Sequence, residues 1–169
     1  MPPPLKIMLI RHAEKPEGSS VLGVKEDGTH GQHSLVVQGW QRAGALVAYF
    51  SAPTLAEIAV PTYLYASSVD LRPIETITPL ARRLGVTADQ TFAVGDEAAL
   101  VASITSRDGV VLVAWEHKHI PLIADHLTSH APQTWPGDRF DVVWIFDRQS
   151  SGSYSFAQVP QMLLAGDSP

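Results

Sequence analysis

Residues 5–12 of the chain read Leu-Lys-Ile-Met-Leu-Ile-Arg-His, and the rest of the sequence is organised around them. The apolar residues of this run are bulky or β-branched and lack helical spacing, which is typical of a buried strand. Pro16 then disfavours a helical conformation for Lys15, so an irregular segment is expected to follow. A guanidinium and an imidazole therefore stand at the carboxyl end of a strand, the end at which open α/β sheets bind ligands.

The length and composition of the chain predict a single domain. With 169 residues, 45% of them apolar, the chain is long enough to bury one full core. We expect this domain to span 1–169, with loose tails at 1–4 and 164–169. The segment 1–4 is a short polyproline-like lead and lacks the features of a signal peptide.

Charge and cysteine content exclude several classes of function. The net charge of −5 disfavours non-specific binding to nucleic acid or to an anionic membrane. The absence of cysteine excludes disulfides, thiolate metal sites and a thiol nucleophile. No apolar run reaches membrane-spanning length, and a cytoplasmic protein is the expectation.

Two helices are predicted around the second strand. Apolar residues recur at helical spacing from Val36 to Phe50, with Ser34 as a nearby candidate N-cap. A strand within 61–68 leads to a second helix, which has Pro73 in its first turn and ends at Gly85. Arg72 therefore lies at a helix N-terminus, where backbone N–H groups and the helix dipole favour an anion.

The second half of the chain completes an α/β pattern. Val110–Trp115 is a continuous apolar run typical of a central parallel strand, and a helix follows Pro121. Strands at 141–147 and 154–156 flank a turn at 150–153. The predicted fold is a three-layer α/β/α domain whose mixed, mostly parallel central sheet ends in a C-terminal antiparallel hairpin.

Four stretches together resemble the histidine phosphatase (phosphoglycerate mutase-like) superfamily. Arg11-His12-Ala13 is similar to the family's Arg-His-Gly, with Ala13 replacing the glycine. Residues 35–43 resemble Leu-Thr-x-x-Gly-x-x-Gln-Ala, with Val36 and Arg42 replacing the threonine and glutamine; Val36 removes a capping hydroxyl, and no catalytic role is affected. Residues 68–76 resemble Ser-x-x-x-Arg-Ala-x-x-Thr, and His117 matches the second histidine that follows a central strand.

This resemblance implies specific roles for individual residues. His12 is implied as the nucleophile that becomes a phosphohistidine, and a protonated His117 is implied to donate hydrogen bonds to the phosphoryl oxygens. The residues implied to bind phosphate are Arg11, His12, Arg72 and His117. A carboxylic acid protonates the leaving group, and Glu97 is the first candidate; the others are Asp96, Glu116 and Glu14.

The resulting expectation is a phosphatase that acts on a phosphorylated small molecule or a phosphorylated protein side chain, without a cofactor or a metal. Two alternatives stay open: a phosphoglycerate-type mutase, and a non-catalytic module that binds phosphate. His30 and His33 have a spacing that suits a metal site on a helix, but Gly28 and Gly31 argue against a helix there. His117 and His119 could share one face of a strand, but no acidic cluster at ligand spacing completes a site with them. The polar segment 17–34 is expected to be a mobile loop over the site.

Overall fold

The computed structural model describes residues 4–169, and residues 1–3 of the expected N-terminal tail lie outside that range. Five strands form the sheet: β1 Lys6–Arg11, β2 Tyr63–Ala66, β3 Val110–Trp115, β4 Val142–Arg148 and β5 Tyr154–Pro160. Four helices accompany them: α1 Val37–Ser51, α2 Leu71–Leu84, α3 Glu97–Thr105 and α4 Ile120–Leu127.

The strands form one mixed sheet in the order β2-β3-β1-β4-β5. β1 and β2 both pair with β3 in parallel, while β4 pairs antiparallel with β1 and with β5. The stretch quoted first in the sequence is thus the central strand. This arrangement confirms the predicted mixed sheet and its C-terminal hairpin.

Both faces of the sheet are covered, which confirms the three layers. Ile7 and Leu9 of β1 pack into the cluster that includes the apolar residues of α3 and α4. Met8 and Ile10 pack on the opposite face, together with residues of α1 and α2. A strand buried on both sides must be apolar at consecutive positions, which explains why this run shows no alternation.

The start of α1 differs from the prediction. The N-cap position is occupied by Val36, whose side chain forms no capping hydrogen bond. Ser34, the predicted N-cap, is fully buried two residues earlier and does not cap the helix. The replacement of the family's threonine by Val36 therefore does leave α1 without a capping hydroxyl.

The start and end of α2 follow the prediction. The side chain of Asp70 caps the helix by accepting a hydrogen bond from the backbone N–H of Arg72. Arg72 is the second residue of the helix, and Pro73 lies in its first turn. Gly85 ends the helix with φ +67°, a left-handed conformation that glycine adopts without a steric penalty.

The C-terminal residues correct the prediction of a loose tail. The side chain of Asp167 is only 4% exposed and lies 2.7 Å from a guanidinium nitrogen of Arg42. At the other end, the carbonyl oxygen of Pro4 accepts a hydrogen bond from the Tyr154 hydroxyl. Between residues 4 and 169, no helix is both long and apolar enough to cross a membrane.

Candidate active site

The candidate site lies at the carboxyl edge of the parallel strands. Arg11 ends β1 opposite Trp115, the last residue of β3, and the backbone N–H of His12 donates to the Trp115 carbonyl at 3.1 Å. His117 follows β3 by two residues, and Arg72 follows β2 at the start of α2. The strand order therefore directs all four predicted phosphate-binding residues to one edge of the sheet.

The imidazole of His12 is held in a defined tautomer. Its Nδ1 lies 2.8 Å from the carbonyl oxygen of Ala13. Because a carbonyl oxygen can only accept, Nδ1 must carry the proton, and Nε2 is left with its lone pair. Burial, opposed by the Ala13 hydrogen bond and reinforced by the charge of Arg11, lowers the pKa of His12 to about 4. His12 is therefore a neutral imidazole with a nucleophilic nitrogen at physiological pH.

Arg11 is a buried cation with free hydrogen-bonding capacity. The residue is 4% exposed, and its Nε and Nη1 are buried without a partner among the residues described. The ring of Phe140 covers the guanidinium, with its centroid 3.9 Å from Cζ, and also lies 6.1 Å from the centroid of the His12 ring. Buried donors without partners are rare in folded proteins and indicate a site for an acceptor.

Arg72, at the start of α2, has a side chain that is 19% exposed, and its Nη1 lies 3.8 Å from Oδ2 of Asp70. Its Nε is buried and has no partner within 4–169. Its Nη2 donates to the Gln32 carbonyl at 3.3 Å, which places the segment 17–34 against this side of the site. The charges of Arg11 and Arg72 both lower the pKa of His12, so the two cations act on the same imidazole.

The imidazole of His117 has a lowered pKa in the absence of a bound anion. Burial and the charge of Arg11 lower its pKa, so the imidazole is mainly neutral at pH 7 in the protein alone. Its Nδ1 lies 2.8 Å from Oε1 of Glu116 but forms no hydrogen bond with it. An anion beside His117 would raise this pKa again, which links protonation of the ring to binding.

The surroundings of Glu97 disfavour it as the proton donor. Its carboxylate accepts hydrogen bonds from the indole N–H of Trp115 and from the backbone N–H of Gly95, and Nδ1 of His119 lies 3.0 Å away. Burial favours the neutral acid, but these contacts outweigh it and lower the pKa of Glu97. Such a carboxylate is ionised and already occupied by donors.

The other three candidate acids differ in their hydrogen bonds and exposure. Both oxygens of Glu14 accept hydrogen bonds from the Arg42 guanidinium, so this carboxylate is fully engaged. Asp96 accepts a hydrogen bond from the backbone N–H of Ala93. Glu116 is partly exposed. Burial lowers the pKa of Arg11, and among the nearby charges that oppose this effect, that of Glu116 acts most strongly. Oε2 of Glu116 accepts a hydrogen bond from the backbone N–H of Lys118 at 3.0 Å, and Glu116 is the candidate acid with the strongest electrostatic effect on Arg11.

A hollow of about 550 Å³ lies between the loop after β1, the start of α1, the segment before β4 and the C-terminal segment. Phe140 contributes to its wall and also covers Arg11, whereas the four predicted phosphate-binding residues do not line it. Glu14, Lys15, Glu17 and Asp138 contribute charged groups to its wall. Sequence reasoning missed Phe140, because a lone aromatic residue in a loop gives no local sign of which site it reaches.

Neither of the two histidine pairs forms a metal site within the described residues 4–169. No group of three or more His, Asp or Glu side chains there is arranged to hold a metal ion. Nδ1 of His119 faces Glu97, and Nδ1 of His117 faces Glu116. His30 forms a short antiparallel bridge with Val24 in the segment 17–34.

The same architecture occurs in solved phosphatase structures. A phosphoserine phosphatase variant from Entamoeba histolytica, in complex with phosphoserine, is 12% identical with a TM-score of 0.62, over 94% of this chain and 98% of that one. The protein histidine phosphatase SixA, complexed with tungstate, is 14% identical with a TM-score of 0.61, over 92% and 97%. The chain has the histidine phosphatase fold.

A third structure with this fold is the mycobacterial glucosyl-3-phosphoglycerate phosphatase in complex with inorganic phosphate. It is 15% identical to this chain with a TM-score of 0.57, over 91% of this chain and 95% of the other. No protein-family model and no curated protein matches the sequence itself. At these identities the histidine phosphatase fold is what the chains share.

Proposed function

We propose that the protein is a metal-independent phosphatase that hydrolyses a phosphate monoester, or a phosphorylated protein side chain, through a phosphohistidine on His12. The observation that carries this proposal is the pairing of a neutral His12 with two guanidinium groups whose buried nitrogens lack partners. His12 supplies the nucleophile, and the two guanidinium groups supply hydrogen-bond donors for the phosphoryl oxygens. Solved phosphatases with the same fold support the proposal.

The first chemical step transfers the phosphoryl group to His12. The lone pair on Nε2 attacks phosphorus, the bond from phosphorus to the ester oxygen breaks, and that oxygen takes a proton from a carboxylic acid. The hydrogen bond from Nδ1 to the Ala13 carbonyl holds the ring and stabilises the positive charge that develops on it. Glu116 is the acid that we assign to this step.

The second step releases phosphate. The carboxylate left by the first step accepts a proton from water, and the water oxygen attacks phosphorus as the bond from phosphorus to Nε2 breaks. His12 returns to its neutral form. Arg11, Arg72 and His117 donate hydrogen bonds to the equatorial oxygens in both steps, where charge develops in the transition state.

The guanidinium groups also account for the proposed independence from metal. Two permanent positive charges, with planar donor geometry, stabilise phosphoryl charge as a bound divalent cation would. Phosphate release from an aryl phosphate should therefore continue in the presence of a chelator. Loss of turnover in chelator, with recovery on adding zinc or manganese, would contradict this proposal.

Arg72→Lys provides the sharper test, because α2 offers a matched control. Lysine keeps the charge but loses the planar fork, so kcat/KM for an aryl phosphate should fall by about 10²-fold. Arg82→Lys makes the same change in the last turn of the same helix, where the side chain is 67% exposed, and should leave kcat/KM unchanged. Equal effects of the two substitutions, or no turnover by the wild-type protein, would overturn the proposed function.

A further inference from the structure

A buried ionic cluster joins the C-terminal segment to the loop that carries His12. Its centre is Arg42 on α1, which is 2% exposed. One edge of the guanidinium contacts Glu14, with Nε 2.9 Å and Nη2 2.8 Å from Oε1. The other edge contacts Asp167, with Nη2 2.7 Å from Oδ1 and Nη1 3.1 Å from Oδ2. Arg42 thus bridges two carboxylates that are distant in the sequence.

The C-terminal segment is organised around the Asp167 carboxylate. Oδ2 accepts hydrogen bonds from the backbone N–H groups of Leu163 and Leu164, at 2.7 and 3.0 Å. Burial opposes ionisation, but Arg42 and these backbone donors lower the pKa of Asp167 to about 2. Met162, just before this turn, has φ +53°, a conformation that costs a residue with a side chain energy and persists when its surroundings enforce it.

Glu14 lies two residues after His12 in the loop that follows β1, residues 12–16, here called the catalytic loop. Its carbonyl oxygen accepts a hydrogen bond from the backbone N–H of Val36 at 3.1 Å. Gly39 lets α1 approach so closely that a β-carbon there would stand 2.4 Å from the same oxygen. Only Ala13 lies between Glu14 and His12, and its carbonyl holds Nδ1 of the imidazole. A shift of Glu14 would therefore move the carbonyl that orients the nucleophile.

We propose that Asp167 is a positioning residue for His12, acting through Arg42 and Glu14. This inference rests on the proposed function, because the orientation of His12 affects turnover only if His12 attacks phosphorus. Among the described residues, the guanidinium groups of Arg11 and Arg72 form no hydrogen bond or ion pair with Arg42, Glu14 or Asp167. Asp167 should accordingly affect the rate of the chemical step more than the binding of substrate.

The test is Asp167→Asn, which weakens the contact with Arg42 while leaving the pair of Arg42 and Glu14 in place. We expect kcat for an aryl phosphate to fall by about 10-fold or more, because small displacements of a reacting group have large effects on rate. KM should change by less than about 3-fold. Arg42→Lys should act in the same direction, since one ammonium group cannot form paired contacts with both carboxylates.

Ile104→Ala is the control for a general loss of stability. Ile104 is fully buried in α3, on the opposite face of the sheet from Arg42, and its truncation should lower Tm. Measured well below Tm, this control should retain wild-type kcat. An unchanged kcat in Asp167→Asn, an effect on KM alone, or an equal loss of kcat in Ile104→Ala would overturn the proposal.

Amide hydrogen exchange tests the positioning role without relying on turnover. The amides of Ala13 and Val36 should exchange faster in Asp167→Asn than in the wild type. In Ile104→Ala, their exchange should change only as much as the overall loss of stability requires. Unchanged exchange at both amides in Asp167→Asn would overturn the positioning role. Absence of phosphate release by the wild type, with accelerated exchange in Asp167→Asn, would instead reject the proposed function and retain the mechanical link.

Discussion

The hydroxyl of Thr76 accepts a hydrogen bond from the backbone N–H of Ala13 at 2.8 Å and donates one to the carbonyl oxygen of Arg72 at 2.7 Å. Thr76 is fully buried. A single side chain therefore connects the residue that orients His12 with the residue that contributes the second guanidinium. The relative position of nucleophile and phosphate donors depends on this contact between α2 and the loop after β1.

Thr76→Val should impair both stability and turnover. Valine has nearly the same shape but leaves the N–H of Ala13 buried without an acceptor, which costs about 1–3 kcal/mol of unfolding free energy. We expect kcat for an aryl phosphate to fall by about 10-fold or more, because the loop that carries His12 loses a fixed contact. Urea unfolding and steady-state kinetics on the same preparation measure the two effects.

Thr78→Val is the matched control for this substitution. Thr78 lies on the same helix, and its hydroxyl also donates to the carbonyl four residues earlier, at 2.7 Å, but it accepts nothing from the catalytic loop. Its kcat should equal that of the wild type. Equal kcat in Thr76→Val and the wild type would show that the link to Ala13 has no role in turnover.

The buried His12 makes folding stability depend on pH in a defined window. Its pKa of about 4 in the folded protein is below the value of 6.5 in the unfolded chain. Between these values the unfolded state binds more protons, so the unfolding free energy decreases as the pH falls from 6.5 towards 4. The contribution from His12 should be about 2–3 kcal/mol between pH 7 and pH 4.5.

His12→Gln isolates this contribution, because glutamine is polar and does not titrate. Urea unfolding measures the free energy of unfolding at about pH 7 and pH 4.5. The decrease between the two pH values should be about 2–3 kcal/mol smaller in the variant than in the wild type. Identical losses in the two proteins would mean that His12 is not neutral in the folded state. Because His12 stays neutral down to about pH 4, the acid side of the pH profile of kcat/KM should show no titration of His12 near pH 6.5.

The three glutamate candidates can be separated by the leaving group. Glu116→Gln should slow hydrolysis of an alkyl phosphate by about 10²–10⁴-fold and that of a nitrophenyl phosphate much less, because only the poor leaving group needs protonation. Glu97→Gln should reduce stability, since Trp115 and Gly95 lose an ionised acceptor, and should affect both esters equally. Glu14→Gln should also affect both equally.

Steady-state kinetics with both esters distinguish these outcomes. A selective loss on the alkyl ester in Glu97→Gln or Glu14→Gln would move the donor role to that residue. If none of the three variants shows selectivity, the donor is a different group.

Much of the framework was predictable because local signals and tertiary packing agree. The apolar run before Arg11 shows no alternation since both faces of β1 are buried, and Gly85 ends α2 in the left-handed conformation that its position suggested. The placement of Arg72 at a helix start followed from Pro73, which suits the first turn of a helix. These features depend on residues close together in the chain.

Several features of the structure were not visible in the local sequence, and two of them depend on contacts between distant residues. A first-turn acid such as Glu97 has the same local sequence signature whether it faces solvent or accepts a bond from Trp115, 18 residues away. The C-terminal residues read as a loose tail because Arg42, which binds Asp167, lies 125 residues earlier. Ser34 resembled an N-cap by its position, but the helix begins three residues later, at Val37.

The most direct test of the account is a search for the covalent intermediate on His12. The wild-type protein is mixed with an aryl phosphate, quenched under alkaline conditions that preserve phosphohistidine, and digested for mass spectrometry. Glu116→Gln is treated in parallel, because slower activation of water should increase the amount of intermediate, and His12→Ala serves as the blank. The account predicts an acid-labile phosphoryl group on His12 in the first two proteins, with neither label nor turnover in the third. A phosphoryl group on another residue, or phosphate release that persists in His12→Ala, would contradict it.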